Sequence, residues 1–537
     1  MTDPDRRVPR FAWHPEPALV GTTDPGDRAV LERLGTAAWS AALDYLFGEA
    51  LRRPITRETY AELRRVFFGP SAAPADAPRD PAPAADILAE FARRVGPHGF
   101  NSQHPAQFAY FTPPPLWLSI VGELLAQVTN QGIDVWHSGP AGAFVEEEVV
   151  RWLADLVGFA PGSFGVLTSG GVMANVMALA MARDVHLTRL LGREPADEPP
   201  RGAALEAIRV YASDQAHFSI ARGLDLLGFP AATLRIVPAD ERFRLRGEAV
   251  AAAIAEDRAA GLTPLAVAAV AGSTNTGSVD ALDELADLAA AERLWLHVDA
   301  AYGGAVRLSD REAWRVPALE RADSLTIDPH KWFFQAYDIG ALLVRRRSDL
   351  LATFHREPEY YRTGSVAGRE PGDGDIAPDG PLHWYQHSME GSRRFRALKL
   401  WLSWKHLGTK GLGRLVEANL ELAAYLARRI TEADDFEALP PEPELSVVCF
   451  RHLPGGRPAG SFEPAALDRY QDALQRALEI DGAAWVSTTR LRGATWLRAG
   501  IVNYLATEAE VDTLLAALRR LSPAAAAAAG LVPVATR

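Results

Sequence analysis

Apolar positions recur at roughly helical intervals over residues 28 to 68, where Leu31, Leu34, Trp39, Leu43 and Leu46 fall together. The Pro- and Ala-rich stretch from Gly69 to Pro83 then reads as an irregular connector. Helical spacing returns at Val149, Trp152, Leu153 and Leu156. Beyond it come four short apolar runs: Ile208 to Ala212, Leu265 to Ala271, Leu294 to Val298 and Ser324 to Ile327. Each is short enough for a buried strand, and helical stretches separate several of them. That alternation predicts an α/β domain with a largely parallel sheet. The stretch Arg193 to Pro200 interrupts it as a Pro-rich surface loop.

After Lys399 the pattern changes. A helical segment, Leu415 to Ile430, precedes a strand candidate, Ser446 to His452. The run Leu497 to Val502 and a helix opening with capping-box spacing, Thr507 to Glu510, follow. This predicts a smaller α+β domain. The alanine run Ala524 to Ala529 is expected to fray, and no internal repeat is evident.

The 537 residues, 48% of them hydrophobic, are enough for a large buried core and more than one domain. Net charge is −12 with both signs interspersed, which gives no footprint for nucleic acid. A single cysteine, Cys449, leaves no intramolecular disulfide and argues against a Cys-based metal site; none is expected. The first residues carry no apolar run after their charges, so no secretory signal is expected. No stretch of about 18 apolar residues occurs, so no membrane span is expected. A soluble cytoplasmic protein is the default expectation.

Four segments carry candidate chemistry. Asp328-Pro329-His330-Lys331-Trp332 follows a predicted strand, and the aromatics Trp332 and Phe333 surround the lysine. Partial desolvation there is expected to favour a neutral amine, which can form a Schiff base. In Trp295 to Gly304 an apolar strand delivers Asp299 to its carboxyl end, where open α/β sheets bind ligands. Asp299 could cap the following loop, or pair with a protonated pyridine nitrogen. In Leu167-Thr168-Ser169-Gly170-Gly171-Val172, two glycines open a helix expected to run to about Leu190. That is a plain turn or an anion cup; it matches neither a P-loop nor a dinucleotide fingerprint. In Tyr211 to Ser219, His217 follows another strand and is either structural or stacked on a flat ring. Together the four make a consistent cofactor site.

With SDQAHFS, HVDAAYGG, DPHKW and SRRFRALKLW in combination, the chain resembles the group II pyridoxal-phosphate decarboxylases of the aspartate-aminotransferase fold type. It is most similar to the aromatic-L-amino-acid decarboxylase branch. The resemblance runs from about Asp27 to Leu521. It implies a large domain with a mostly parallel seven-stranded sheet, a smaller C-terminal α+β domain and a helical N-terminal arm packing across a homodimer. The layout expected is 1–115 for the arm, 116–398 for the cofactor domain, 399–521 for the small domain and 522–537 for a disordered tail. Pyridoxal 5'-phosphate is the implied cofactor, carried by Lys331. Asp299 would pair with its ring nitrogen, Ala301 lie under the ring and His217 stack on the other face. Gly170, Gly171 and Val172 would hold the phosphate, and Thr274 would sit near the ring hydroxyl. His330 precedes the lysine as in the family. Asp328 replaces an asparagine and brings charge close to an anion.

Tyr360 matches the start of the family's mobile loop, continued here by the Gly- and Pro-rich residues 362 to 382. The resemblance implies that this tyrosine comes from the neighbouring subunit and protonates the substrate carbon after CO₂ leaves. The oxidative branch, the aldehyde synthases, often carries Phe there, so Tyr360 favours simple decarboxylation. Tyr110 and Phe111 either line an aromatic pocket or belong to ordinary core. Ser102 and Asp134 stand where the relatives have pocket aromatics. Asp134 could favour a cationic substrate or be turned away. An aromatic L-amino acid (tyrosine, tryptophan, phenylalanine or dihydroxyphenylalanine) is the lead substrate class. The alternatives are an aldehyde synthase, a decarboxylase of a non-aromatic amino acid and a non-catalytic cofactor-binding protein.

Overall fold

The four apolar runs read as buried strands form strands in the computed structural model, which describes residues 13–48, 53–194, 198–356 and 381–531. They belong to a seven-stranded sheet: β1 (Phe164–Thr168), β2 (Ile208–Ser213), β3 (Leu234–Val237), β4 (Thr263–Val270), β5 (Trp295–Asp299), β6 (Ser324–Ile327) and β7 (Gly340–Val344). The order is β1-β7-β6-β5-β4-β2-β3. Six strands share one direction, and β7 runs against its neighbours β1 and β6. Strands β1, β5, β6 and β7 are buried along their whole length. That explains their continuous apolar runs, since helices cover both faces of such a sheet. The parallel strands therefore all end at one edge, and their following loops gather there.

The helices α1 (Trp117–Thr129), α2 (Pro140–Leu156), α3 (Gly171–Met181), α4 (Ser219–Leu226) and α5 (Ala397–Thr431) belong to the same unit. Helix α3 packs on β1, β5, β6 and β7. It continues as a wider turn, Ala182–Leu187, and ends at Leu190. Helix α5 is broken at Gly408, whose φ is +65°. A fully buried ion pair fixes the end of β1: Arg393 donates to Glu146 and to the carbonyls of Ile133 and Leu167, while Glu146 accepts from Leu167 N–H. Losing either partner would strand a buried charge, at about 3–5 kcal/mol. A four-stranded antiparallel sheet, β8 (Phe436–Ala438), β9 (Val447–His452), β10 (Ser487–Leu491) and β11 (Ala494–Gly500), completes the unit in the order β10-β11-β9-β8.

This unit takes its described residues from Phe108–Gln471 and Ser487–Tyr504. A second unit draws on Met1–Gln107, Asp472–Val486 and Leu505–Val532, so two late segments join the N-terminal residues rather than follow the linear layout expected. It is helical. The stretch 28–68 holds two helices, Arg28–Phe47 and Tyr60–Phe68, the latter with a Thr59/Glu62 capping box. Arg53 donates to the carbonyls of Glu479, Ile480 and Asp481, satisfying the end of the helix Pro464–Asp481. The helix Glu508–Ala529 opens with the expected Thr507/Glu510 capping box. It corrects the expected tail: the alanine run continues the helix to Gly530, which caps it at φ +61°. Alanine is the strongest helix former, so low complexity here is not disorder. Among the described residues no helix is long and apolar enough to cross a membrane.

Candidate active site

The loops after β1, β2, β5 and β6 carry the four segments singled out from sequence, and the structure brings them to one edge of the sheet. The cup after β1 is built for a close approach. Gly170 has φ +156°, and a Cβ there would come 3.1 Å from His330 Cε1. A Cβ on Gly171 would lie 2.9 Å from Asp328 Oδ2 and 3.3 Å from the Ala301 methyl. Gly171 opens α3, and no side chain caps that helix N-terminus. Its first N–H groups and its dipole suit an anion.

Asp299 ends β5 and is buried. Its Oδ1 accepts from Ala301 N–H at 3.1 Å and its Oδ2 from Asn175 Nδ2 at 2.7 Å. His217 is half-buried, and its Nδ1 meets Ser219 Oγ at 2.8 Å. Burial pushes the His217 imidazole below its ordinary pKa against the pull of Asp299, so the ring is neutral at pH 7. Ala301 is buried between these groups and the cup.

Lys331 corrects one expectation. Its Nζ lies 2.9 Å from Asp328 Oδ2. Burial pushes the amine down, but the carboxylates of Asp328 and Asp299 outweigh it, and the pKa stands above the ordinary lysine value. The amine is charged at neutral pH rather than free to attack. The aromatic neighbours alone favour a neutral amine, but a tight turn, closed by Lys331 N–H on the Asp328 carbonyl, folds the lysine back onto the Asp328 carboxylate. Asp328 Oδ1 is buried with no hydrogen-bond partner among the described residues. His330 takes Ile339 N–H on Nδ1 at 3.2 Å and rests against Tyr337.

Other expected positions are placed differently. Thr274 is exposed; its carbonyl accepts from Arg498 Nε at 2.8 Å. Phe111 is buried and stacked on Tyr302 at 4.1 Å, with the Arg498 guanidinium 4.6 Å from its centroid. Tyr302 is stacked in turn on Trp332, at 4.7 Å. Phe111 is thus already part of the packed core, whereas Tyr110 is exposed with φ +60°. Asp134 Oδ1 is committed to its own turn, accepting from Val135 N–H at 2.7 Å and from the Ser138 hydroxyl. Ser102 belongs to the other unit. Tyr360 lies outside the described residues.

Sequence reasoning missed Asn175 and Arg498. Arg498, on β11, is buried, and its Nη2 has no hydrogen-bond partner among the described residues. Its acidic neighbours are the Cys449 thiol and the Tyr302 and Tyr110 hydroxyls, with no carboxylate among them. A buried guanidinium so placed suits an incoming carboxylate. Nothing local in the sequence marks it.

The residues present fit pyridoxal phosphate. A glycine cradle that a Cβ would fill faces an uncapped helix N-terminus, a fixed carboxylate and an amine share one edge, and a neutral imidazole completes the set. The comparisons agree. The pyridoxal-dependent decarboxylase conserved domain matches residues 70–453. The aromatic-L-amino-acid decarboxylase of Bacillus atrophaeus is 33% identical over 78% of this chain and 81% of its own. The L-2,4-diaminobutyrate decarboxylase of Rhizobium meliloti is also 33% identical, over 81% of each chain. Among solved structures, Oryza sativa TDC with PLP and tryptamine superposes with a TM-score of 0.82 at 25% identity, covering 94% of this chain and 99% of that one. The chain belongs to the pyridoxal-dependent decarboxylase family. It is a pyridoxal-phosphate-dependent carboxy-lyase acting on an amino acid.

Proposed function

We propose that the chain decarboxylates an aromatic L-amino acid to its amine and CO₂, and that it works as a homodimer. The observation that carries the substrate class is Asp134. Its Oδ1 accepts from two groups of its own turn, so the cationic side chain of a substrate such as diaminobutyrate would meet a carboxylate already partly stabilised. The likeness to the Bacillus atrophaeus enzyme supports the same reading.

When bound, pyridoxal phosphate supplies an electron sink for the pair left behind by the departing carboxylate. Lys331 would hold the cofactor through its amine. Asp299 keeps a proton on the ring nitrogen. The N–H groups at the start of α3, from Gly170 to Val172, hold the phosphate. Ala301 would leave room for a flat ring, and His217 would pack against it. Arg498 orients the substrate carboxylate, and Tyr360 delivers the proton that replaces it at Cα. An exposed apolar face on α1 and α2 (Trp117, Leu124, Leu125, Val128 and Phe144) favours burial against a second copy.

Mass spectrometry of products tests this. The purified protein with pyridoxal phosphate is offered a panel of L-amino acids that includes 2,4-diaminobutyrate. Amines from tyrosine, tryptophan, phenylalanine or dihydroxyphenylalanine are expected. An amine only from diaminobutyrate, or an aldehyde in place of an amine, would overturn the reading.

A further inference from the structure

Asn175 is buried in the second turn of α3, and all four hydrogen-bonding positions of its amide are used. Nδ2 donates to Asp299 Oδ2 at 2.7 Å and to Ser219 Oγ at 2.8 Å. Oδ1 accepts from Thr326 Oγ1 at 2.7 Å and meets His297 Nε2 at 3.0 Å.

The direction of every bond follows from the ends. A carboxylate only accepts, so Asn175 turns its NH₂ to Asp299 and its oxygen to His297. His297 must then donate through Nε2, which leaves Nδ1 to accept from Ser324 Oγ at 3.0 Å. Ser324 Oγ can do so because it already accepts from Trp295 Nε1 at 2.9 Å. On the other side, Asn175 occupies a lone pair of Ser219 Oγ. The Ser219 backbone N–H also donates to His217 Nδ1, at 3.4 Å, so Nδ1 is an acceptor and takes the hydroxyl hydrogen as well. His217 is left with its hydrogen on Nε2.

We propose that Asn175 is a positioning residue: one amide ties the Asp299 carboxylate to the His217 ring and, through Ser219, holds His217 in the Nε2–H tautomer. The inference rests on the reading of Asp299 and His217 given above. Its chemical sense is that the cofactor's ring oxygen and an amino-acid carboxylate are both acceptors. Only an imidazole presenting N–H can meet either. Only a primary amide supplies two donors and two acceptor sites, and Gln would carry it one methylene too far: Asp lacks the donors, Thr lacks one of them, and Leu lacks all four.

The test is ¹⁵N-histidine NMR of the full-length protein, before and after pyridoxal phosphate is added, with the His217 signals identified by their loss in His217→Gln. The wild type is expected as Nε2–H. Ser219→Ala should shift the tautomer ratio by about tenfold or more, the loss of one hydrogen bond, and Ser219→Thr should restore it. Asn175→Asp, which keeps the acceptors and loses both donors, should shift the ratio as well. It should also weaken pyridoxal phosphate binding, followed by absorbance, by about tenfold or more through repulsion of Asp299. Should Asn175→Asp not fold, the Ser219 pair decides. A wild type with hydrogen on Nδ1, or a His217 unmoved by Ser219→Ala, would overturn the proposal. A wild type that binds no cofactor would overturn the functional reading instead, and the tautomer result would stand apart from it.

Discussion

Asp299 and Asp328 end neighbouring strands and both raise the pKa of Lys331, yet they are built in opposite ways. Asp299 is held by neutral donors, a backbone N–H and the Asn175 amide. Asp328 is held by the lysine itself, with His330 Nε2 3.6 Å from the same oxygen, and its Oδ1 has no hydrogen-bond partner among the described residues. An unsatisfied buried oxygen costs about 1–3 kcal/mol. The charge of Asp299 is thus stabilised by dipoles that stay put when the lysine changes partners. The charge of Asp328 is stabilised chiefly while Lys331 is an ammonium. One carboxylate is built for constancy and the other responds to the state of the lysine.

The comparison turns on Lys331, and Lys331→Ala should have the largest effect. Turnover should fall by about a thousandfold or more with an unchanged circular dichroism spectrum, as expected for loss of a covalent catalyst. Ordinary turnover in that variant would remove the lysine from the mechanism. Asp299→Asn should come next. It keeps the shape but not the charge, and kcat should drop by about 10²–10³-fold, the scale of losing one preorganised electrostatic partner. A change confined to KM would show that constancy of charge at Asp299 is not what the reaction uses.

Asp328→Asn should act in the other direction. Lys331 carries a raised pKa, so it is protonated at neutral pH and cofactor capture by the wild type should accelerate as pH rises. Without Asp328 the first of the raising charges is gone and the amine pKa falls toward what burial alone favours. Capture at about pH 7 should speed up several-fold and its pH dependence should move to lower pH. Stopped-flow absorbance of cofactor-free protein reads both. Slower capture at neutral pH would break the contrast.

The smallest effect belongs to His297, which underpins the Asp299 side only. Burial holds its pKa at about 4, well below the ordinary value of 6.5. Between those values the unfolded chain takes up a proton that the folded chain refuses. Stability therefore falls as pH drops from 6.5 toward 4, by on the order of 1.4 kcal/mol per pH unit. Denaturant midpoints at pH 6.5 and about pH 5 should show a shallower loss in His297→Gln. An equal loss in both proteins would place the acid sensitivity elsewhere.

The fold and the cofactor side of the site were legible because their signals are local. Strand, turn and functional residue follow one another within about ten positions at Asp299 and at Lys331, and sheet topology does the rest. Asn175 was not legible, because its partners lie from 44 to 151 residues away and its own surroundings read as an ordinary apolar helix. Arg498 was hidden for the same reason: a basic residue in a strand looks solvated until the packing shows it buried. The charge of Lys331 was misjudged because desolvation and Coulomb attraction oppose each other, and only geometry says which is larger. Phe111 reads as pocket or core from its neighbours in sequence, and the choice between them needed Tyr302, far along the chain, which engages its ring.

Gly340, on the strand that runs against its neighbours, extends the reach of the site beyond the residues that face it. A Cβ there would lie 2.5 Å from Gly170 Cα and 2.8 Å from Asp328 Oδ1. Two stretches of chain far apart in sequence are thus locked into a shared inheritance. Drift at position 340 is closed unless the turn at 170 drifts with it. A lineage that remodelled the cup for another anion would have to move the backbone at 170 before any side chain could enter at 340.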